Sequence, residues 1–461
     1  MASMTFTRLT RDVEIGANCY ALDLAGRRIV LDCGLHPQLE GRAALPQLDL
    51  LTPHSVDAVV LTHAHQDHLG SLPVLQRLNP EAPVFTSEAT KQLGAIMLHN
   101  SVNVMLRERE AGITEYPLFT HREVDLAVKR WRPTPLEMRF SVDGDRLGAS
   151  GEADVSLEFF DAGHILGSVG VRIVAEGRTI FYTGDVQFDD QSLSRAATFP
   201  TDPVDVLIME TTRGDRAADA GWTRESEEQR LATALAEVFA QGGAVLIPTF
   251  ALGKTQEILT LIHRFRRQGL LRQDCPIYIG GLGAKVTEVH DKLAGQTRRQ
   301  QPNLRLLDEV APFVVSGQSA DETPLKPQRI YALSSGMMTE HTLSNVFARR
   351  LISDPKHAIF FVGYCDPEAP GGPVRSSAPG EFVKLSSEHP AQPRECRIER
   401  FNFSGHASRE SLRAYANQVR PKKILLVHGD PEAAGWFREA LKADLPGTEV
   451  LIPAPGETME F

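Results

Sequence analysis

The segment His63-Ala64-His65-Gln66-Asp67-His68 holds four metal-capable side chains within six residues. An H-x-H-x-D-H run arises by chance in about one chain in a thousand of this length and composition, so it reads as chemistry rather than as a polar turn. His63 and His65 alternate, so in extended backbone their side chains share a face. Asp67 and His68 follow at a turn and can point at an adjacent position. One tetrahedral zinc cannot take all four and keep an open catalytic position. Two metals sharing a bridging water, as in a two-metal hydrolase, fit better. More donors are then needed. Asp161-Ala162-Gly163-His164, Tyr182-Thr183-Gly184-Asp185 and Val427-His428-Gly429 each adjoin an apolar run, which predicts that they sit on one rim of a sheet.

Regular elements must carry these residues to one place. Apolar runs bounded by turn signals predict strands from Ile29 to Leu31, Ala58 to Leu61, Val84 to Thr86, Val155 to Phe160, Val169 to Val174, Thr179 to Tyr182 and Val204 to Met209. Helical spacing intervenes, most clearly from Leu69 to Leu78 and from Thr90 to Leu106. The polar stretch from Ser101 to Pro133 reads as a mobile or helical insertion. Beyond about Glu210, short strands such as Ala244 to Pro248 and Ile330 to Leu333 alternate with helices such as Thr255 to Arg267. That alternation predicts βαβ units and a parallel sheet. Gly253-Lys254-Thr255 imitates a phosphate-binding loop, but the glycine a Walker A loop needs five residues earlier is Pro248.

The 461 residues are 42 % hydrophobic and 23 % charged. That is a globular composition with room for two to four domains, and it excludes a disordered or collagenous chain. No stretch approaches a membrane-spanning length, and the first eight residues lack the apolar run of a signal peptide. The five cysteines are odd in number and form no C-x-x-C pair. They predict a reducing, cytoplasmic setting without a disulfide framework or a thiolate zinc site. A net charge of −10 weighs against a protein coated for nucleic acid, though it says nothing about one cleft. Residues 209–384 are nearly balanced in charge. Their arginine clusters, at Arg264, Arg266, Arg267 and Arg272 and at Arg298, Arg299 and Arg305, read most simply as solvated helix faces.

At this point the sequence resembles a family. The run from His63 to His68, with His164 and Asp185, is similar to the metal motifs of the metallo-β-lactamase fold. Asp32 in Val30-Leu31-Asp32-Cys33-Gly34 resembles that fold's first motif. Met209-Glu210-Thr211-Thr212, Phe403-Ser404-Gly405-His406-Ala407 and Val427-His428-Gly429 resemble motifs A, B and C of its β-CASP nucleases, which include RNase J and the endonuclease of mRNA 3′-end processing. The resemblance covers nearly the whole chain. It implies an α/β fold, a metallo-β-lactamase αββα sandwich formed by residues 1–208 and 385–461, with a β-CASP domain built on a mainly parallel sheet inserted at 209–384. It implies two Zn²⁺ ions, with His63, His65 and His164 holding one, Asp67, His68 and His428 the other, and Asp185 bridging. Asp32 would support a metal-binding histidine. Asp67, His406 and Glu210 are the implied catalytic residues, with His406 facing the scissile phosphate and oriented by Glu210. Ser404 and Ser335 are candidate contacts to substrate phosphate, although Ser404 would equally cap the following helix.

The resemblance further implies hydrolysis of RNA phosphodiester bonds to leave 5′-phosphate and 3′-hydroxyl ends. A histidine at the position of His428 goes with RNA-directed members. The rival readings are a DNA-directed β-CASP nuclease and a hydrolase of a small ester, thioester or lactone, which would not need the Glu210, His406 and His428 set. A catalytically dead scaffold would show broken metal motifs, whereas all are intact here. Two segments depart from the family pattern, Gly280-Gly281-Leu282-Gly283 and Cys365-Asp366-Pro367-Glu368, and they bear on substrate preference rather than on the metals. An extra RNA-binding segment after the final strand and helix is not expected, so recognition is expected from the cleft, from a homodimer or from a partner protein. With the acidity outside the middle domain, RNA binding by the metal-free chain should be weak and shallow in its salt dependence. Titration of labelled RNA at several salt concentrations checks this, and tight, steeply salt-dependent binding would contradict it.

Overall fold

The computed structural model describes residues 4–148, 150–219, 221–317, 320 and 322–461. The start of the stretch read as lacking a signal peptide, residues 1–3, lies outside them. The chain forms two compact units. One comprises Met1–Asp190, Ala196–Ala218 and His406–Phe461, and the other Gln191–Arg195 and Asp219–Gly405.

In the first unit, two seven-stranded sheets pack face to face. One runs in the order Thr458–Glu460, Thr5–Arg8, Tyr20–Leu24, Arg27–Leu31, Ala58–Val60, Val84–Thr86, Trp131–Pro133. The other runs Glu449–Leu451, Lys423–Val427, Val206–Glu210, Arg178–Tyr182, Val169–Ala175, Val155–Asp161, Phe140–Ser141. Leu22, Ile29, Leu31 and Val60 from the first meet Val171, Ile180, Ile208 and Leu425 from the second in one core. The strand Val206–Glu210 is buried along its whole length. Val206 and Ile208 face the other sheet, while Leu207 and Met209 face Leu412 and Phe437 of the helices Arg409–Val419 and Pro431–Asp444. A strand covered on both faces reads as an unbroken apolar run. From the edge strand of the first sheet, Trp131 donates to Gln76 of the helix Leu72–Leu78 at 3.0 Å. The architecture is the expected αββα sandwich.

The second unit is built on six strands, Phe313–Val315, Ile277–Gly280, Ile330–Leu333, Val245–Pro248, Ala358–Phe361 and Arg397–Arg400 in spatial order, and every pairing is parallel. Side chains alternate between its faces. Val245, Ile247, Ile330 and Ala332 pack with Leu231, Ile258 and Phe265. Leu246, Tyr331 and Leu333 pack with Phe347 and Leu351 on the opposite face.

Several expectations change in detail. The breaks at 218/219 and 405/406 lie further along the chain than 208/209 and 384/385, and Gln191–Arg195 joins the second unit from within the first span. Val206–Glu210 pairs with strands of the sandwich on both sides, which keeps the residues just after it in the first unit. Arg397–Arg400 pairs with Ala358–Phe361, which keeps the segment before His406 in the second. The polar stretch after Ser101 takes the helical of its two readings. It continues the helix Glu88–Glu110, forms the helix His121–Lys129 behind a Thr120–Glu123 capping box, and ends in the edge strand Trp131–Pro133. The arginine clusters are not uniformly solvated. Arg299 is 1 % exposed, and Arg266 donates to the carbonyls of Val310 and Cys275 at 2.8 and 2.6 Å. Replacing Ile208, which has no exposed surface, by alanine should cost about 2–5 kcal/mol through lost burial and a residual cavity. Urea unfolding followed by circular dichroism checks this, and an unchanged midpoint would contradict the two-sheet core.

Candidate metal centre

Parallel pairing brings strand ends to one rim. Arg27–Leu31 runs parallel to Ala58–Val60, so Asp32 and His63 leave the first sheet on the same side. Arg178–Tyr182, Val206–Glu210 and Lys423–Val427 are mutually parallel, and their ends deliver Asp185, Glu210 and His428. The chain turns sharply at two of these ends. Asp32 has φ of 56° and His428 φ of 49°, left-handed conformations that cost a residue other than glycine about 1–3 kcal/mol. Gly34 is required for a different reason, since a Cβ there would lie 1.7 Å from the Asp67 carbonyl oxygen.

Asp67 and His68 sit on the one-turn helix Gln66–Leu69, with His65 at its N-cap. A helix this short leaves most of its carbonyls without a helical partner. Segments packed beside it supply donors, with Leu35 N donating to Gln66 O at 2.9 Å, Asn18 N to Asp67 O at 2.9 Å and Cys33 N to His68 O at 2.7 Å.

The donors converge in two groups, His63, His65, His164 and Asp185, and Asp67, His68 and His428. His65 Nδ1 lies 3.2 Å from His63 Nε2 and 3.1 Å from His164 Nε2. Asp185 Oδ2 lies 3.5 and 3.6 Å from His63 Nε2 and His164 Nε2. The other carboxylate oxygen, Oδ1, turns the opposite way, 3.3 Å from His68 Nε2 and 3.0 Å from His428 Nδ1. Asp67 Oδ2 is 3.2 Å from His428 Nε2 and 3.8 Å from His68 Nε2. Donors bound about 2.0–2.1 Å from a zinc at the tetrahedral angle stand roughly 3.3 Å apart, so these separations suit a metal. The chemistry of the set agrees. Asp185 is 2 % exposed and its Oδ1 accepts no hydrogen bond among the described residues, a cost that a cation would remove.

Asp32 is fully buried. Its Oδ2 accepts from His68 Nδ1, Tyr182 Oη and Thr62 Oγ1, each at 2.8 Å, and its Oδ1 accepts from Thr62 N at 2.7 Å. With Nδ1 so engaged, His68 presents Nε2 to the donor set. A third group joins Asp185 and His428 to Glu210 and His406. His406 Nδ1 donates to Glu210 Oε2 at 3.0 Å, and Glu210 Oε1 accepts from Val186 N at 2.7 Å. His406 Nε2 lies 4.0 Å from Asp185 Oδ2.

Burial and mutual repulsion sort the imidazoles. Burial, with the nearby His68, holds His63 well below the ordinary histidine range, and burial lowers His65. Burial acts on His68 in the same direction, but Asp185, Asp32 and Asp67 outweigh it and hold its proton well above that range. His406 is likewise raised against burial by Glu210 and Asp185. Burial would raise the Asp185 carboxyl, yet His428, His68 and His406 keep it well below the usual carboxylate range.

All nine residues expected at the metals and the catalytic pair are thus gathered in the first unit. Ser335 and Ser404 belong to the second, where Ser335 Oγ accepts from Thr339 N at 3.0 Å. Sequence reasoning missed Thr62, Tyr182, Asn18 and Thr212, whose hydroxyl lies 3.0 Å from His428 Nδ1. Thr62 and Thr212 adjoin motif residues and could have been suspected. Tyr182 and Asn18 reach the site through sheet packing, which leaves no local signal.

Comparison with known proteins bears on the fold that carries this geometry. Residues 27–235 match the beta-lactamase superfamily domain, 255–374 the Beta-Casp domain, and 392–453 the Zn-dependent metallo-hydrolase RNA specificity domain. The chain belongs to the metallo-β-lactamase-fold β-CASP family. Among its relatives, it is 28 % identical to cleavage and polyadenylation specificity factor 73 of Drosophila melanogaster, over 94 % of this chain and 60 % of that one. It is 27 % identical to endoribonuclease YSH1 of Eremothecium gossypii, over 97 % and 58 %, and 28 % identical to an RNase J-like protein of Methanocaldococcus jannaschii, over 90 % of both. The chain thus spans about 60 % of the length of the first two of these curated relatives. A crystal structure of a protein of unknown function from Enterococcus faecalis V583 shares the fold, with a TM-score of 0.57 at 16 % identity over the whole of both chains.

Because the His68 proton is held above the ordinary range, a metal entering that group must displace it, and acid must compete with the metal. Zinc uptake near neutral pH should therefore release protons, and affinity should fall as pH drops. Calorimetry in two buffers of different protonation enthalpy checks this, and a heat independent of the buffer would contradict it.

Proposed function

We propose that the protein hydrolyses phosphodiester bonds in RNA with two zinc ions, leaving 5′-phosphate and 3′-hydroxyl ends. The observation that carries this reading is the division of Asp185, with Oδ2 toward His63 and His164 and Oδ1 toward His68 and His428. In it His63, His65 and His164 would hold one zinc and Asp67, His68 and His428 the other, with Asp185 shared between the two sets. Zinc ions bound there would supply a deprotonated water at neutral pH and neutralise charge on the phosphoryl oxygens. The chain's own residues do the rest. Asp32 fixes the orientation of His68 from behind. Glu210 engages His406 Nδ1 and raises the imidazole, so the proton that His406 gives to the leaving oxygen is the one on Nε2. As pH rises through the raised His406 value that proton is lost, and the rate should fall on the alkaline side.

RNA is favoured over DNA by the match of residues 392–453 to an RNA specificity domain and by relatives described as an endoribonuclease and an RNase J-like protein. Among the described residues no helix is long and apolar enough to cross a membrane, and all five cysteines are free and buried. A reducing cytoplasm suits them. Recognition of particular RNAs falls to Ser404, Ser335 and the unit that carries them, or to a second copy or partner protein.

His406→Ala should keep two zinc ions per chain yet cleave labelled RNA about 10²–10⁴-fold more slowly. Metal analysis alongside cleavage of RNA, DNA and a lactone tests this. Undiminished turnover in the variant would remove His406 from the chemistry, and turnover of the lactone in preference to RNA would remove the nuclease reading.

A further inference from the structure

We propose that Asn18, oriented by Tyr20, is a positioning residue for the Asp67, His68 and His428 donor set, an inference that rests on that set holding a metal. Asn18 is fully buried and lies just before the strand Tyr20–Leu24. Its backbone N and its side-chain Nδ2 both donate to the Asp67 carbonyl oxygen, at 2.9 and 3.1 Å. Two donors occupy both lone pairs of that oxygen, so the peptide between Asp67 and His68 is held from two directions. The same Nδ2 stands 3.3 Å from His68 Nε2 and 3.2 Å from Gly16 O. Tyr20 Oη donates to Asn18 Oδ1 at 2.9 Å, which decides the amide's orientation: oxygen toward Tyr20, nitrogen toward the ligand turn. The Asn18 carbonyl in turn accepts from Gly34 N at 2.9 Å, locking the residue to the strand end that carries Asp32.

The need for such a clamp follows from the elements. His428 and Asp185 stand at the ends of buried strands, whereas Asp67 and His68 ride on a four-residue helix, too short to persist by itself. His68 is therefore held at its ring Nδ1 by Asp32, backed by Tyr182, and through the Asp67–His68 peptide by Asn18, backed by Tyr20. The two tyrosine rings meet edge to face, with centroids 5.9 Å apart. No corresponding contact runs from Asn18 to His63, His65 or His164 among the described residues.

The test is stepwise zinc binding by the full chain, measured in competition with a chromophoric chelator. Asp67→Ala and His65→Ala identify which step belongs to which donor set. Asn18→Ala should weaken the step that Asp67→Ala abolishes by about 10–100-fold and leave the other step unchanged. Tyr20→Phe, which keeps the ring and removes one hydroxyl, should shift the same step in the same direction by less. Two unchanged steps, or two steps weakened alike, would overturn the proposal, and Tyr20→Phe decides it if Asn18→Ala does not fold. A wild-type chain that binds fewer than two zinc ions would instead overturn the two-metal reading, and this inference with it.

Discussion

Asp185 is a carboxylate with almost no access to water, surrounded by imidazoles on both of its oxygens. Four nitrogens, from His63, His164, His68 and His428, lie 3.0–3.6 Å from it. Such a cluster cannot be left to find its own arrangement, because a buried charge without fixed partners is expensive. Much of the sandwich serves this one demand. Asp185, Glu210 and His428 come from three adjacent parallel strands, so their spacing follows from the spacing of the strands and not from flexible loops. Asp32 and His63 come from the facing sheet by the same logic.

The supporting contacts divide into two kinds. Hydrogen bonds to the far side of a donor choose which atom faces the centre, as Asp32 does for His68 and Glu210 does for His406. Hydrogen bonds to the backbone hold the ligand turn, as Asn18, Cys33 and Leu35 do for Gln66–Leu69. Left-handed φ values at Asp32 and His428 oppose this order locally, and the buried strands before both residues offset the cost. The site is thus rigid where the structure is most buried. It is most open at His65, Asp67 and His406, which are the partly exposed members of the set.

The second unit illustrates how charge pattern misleads. Arginines that look like a solvated basic stripe are in part internal ties, with Arg266 capping the carbonyls of Val310 and Cys275 and Arg299 buried beside Thr297 and Leu304. A guanidinium with five donors can be buried at modest cost when carbonyls meet it, and nothing in a sequence marks which arginines will be met.

Much of this protein was legible in its residues. Strands buried on both faces, such as Val206–Glu210 and Ile330–Leu333, announce themselves as apolar runs, and the parallel order of the second sheet follows from strands alternating with helices. The strand Tyr20–Leu24, whose apolar run is broken by Asp23, and the charged start of the helix Arg224–Ala240 give a weaker signal and were missed. The six-residue histidine run and the motif residues at later strand ends identify the donors, because metal chemistry restricts which residue types can serve and the turn at a strand end is local. Which donors share Asp185, why His68 offers Nε2, and the parts played by Asn18, Tyr20, Thr62 and Tyr182 were decided only by the tertiary structure. Those contacts join residues far apart in the chain, 150 positions in the case of Tyr182 and Asp32. They exist because two sheets twist and stack in one register, a consequence of packing that no local pattern encodes.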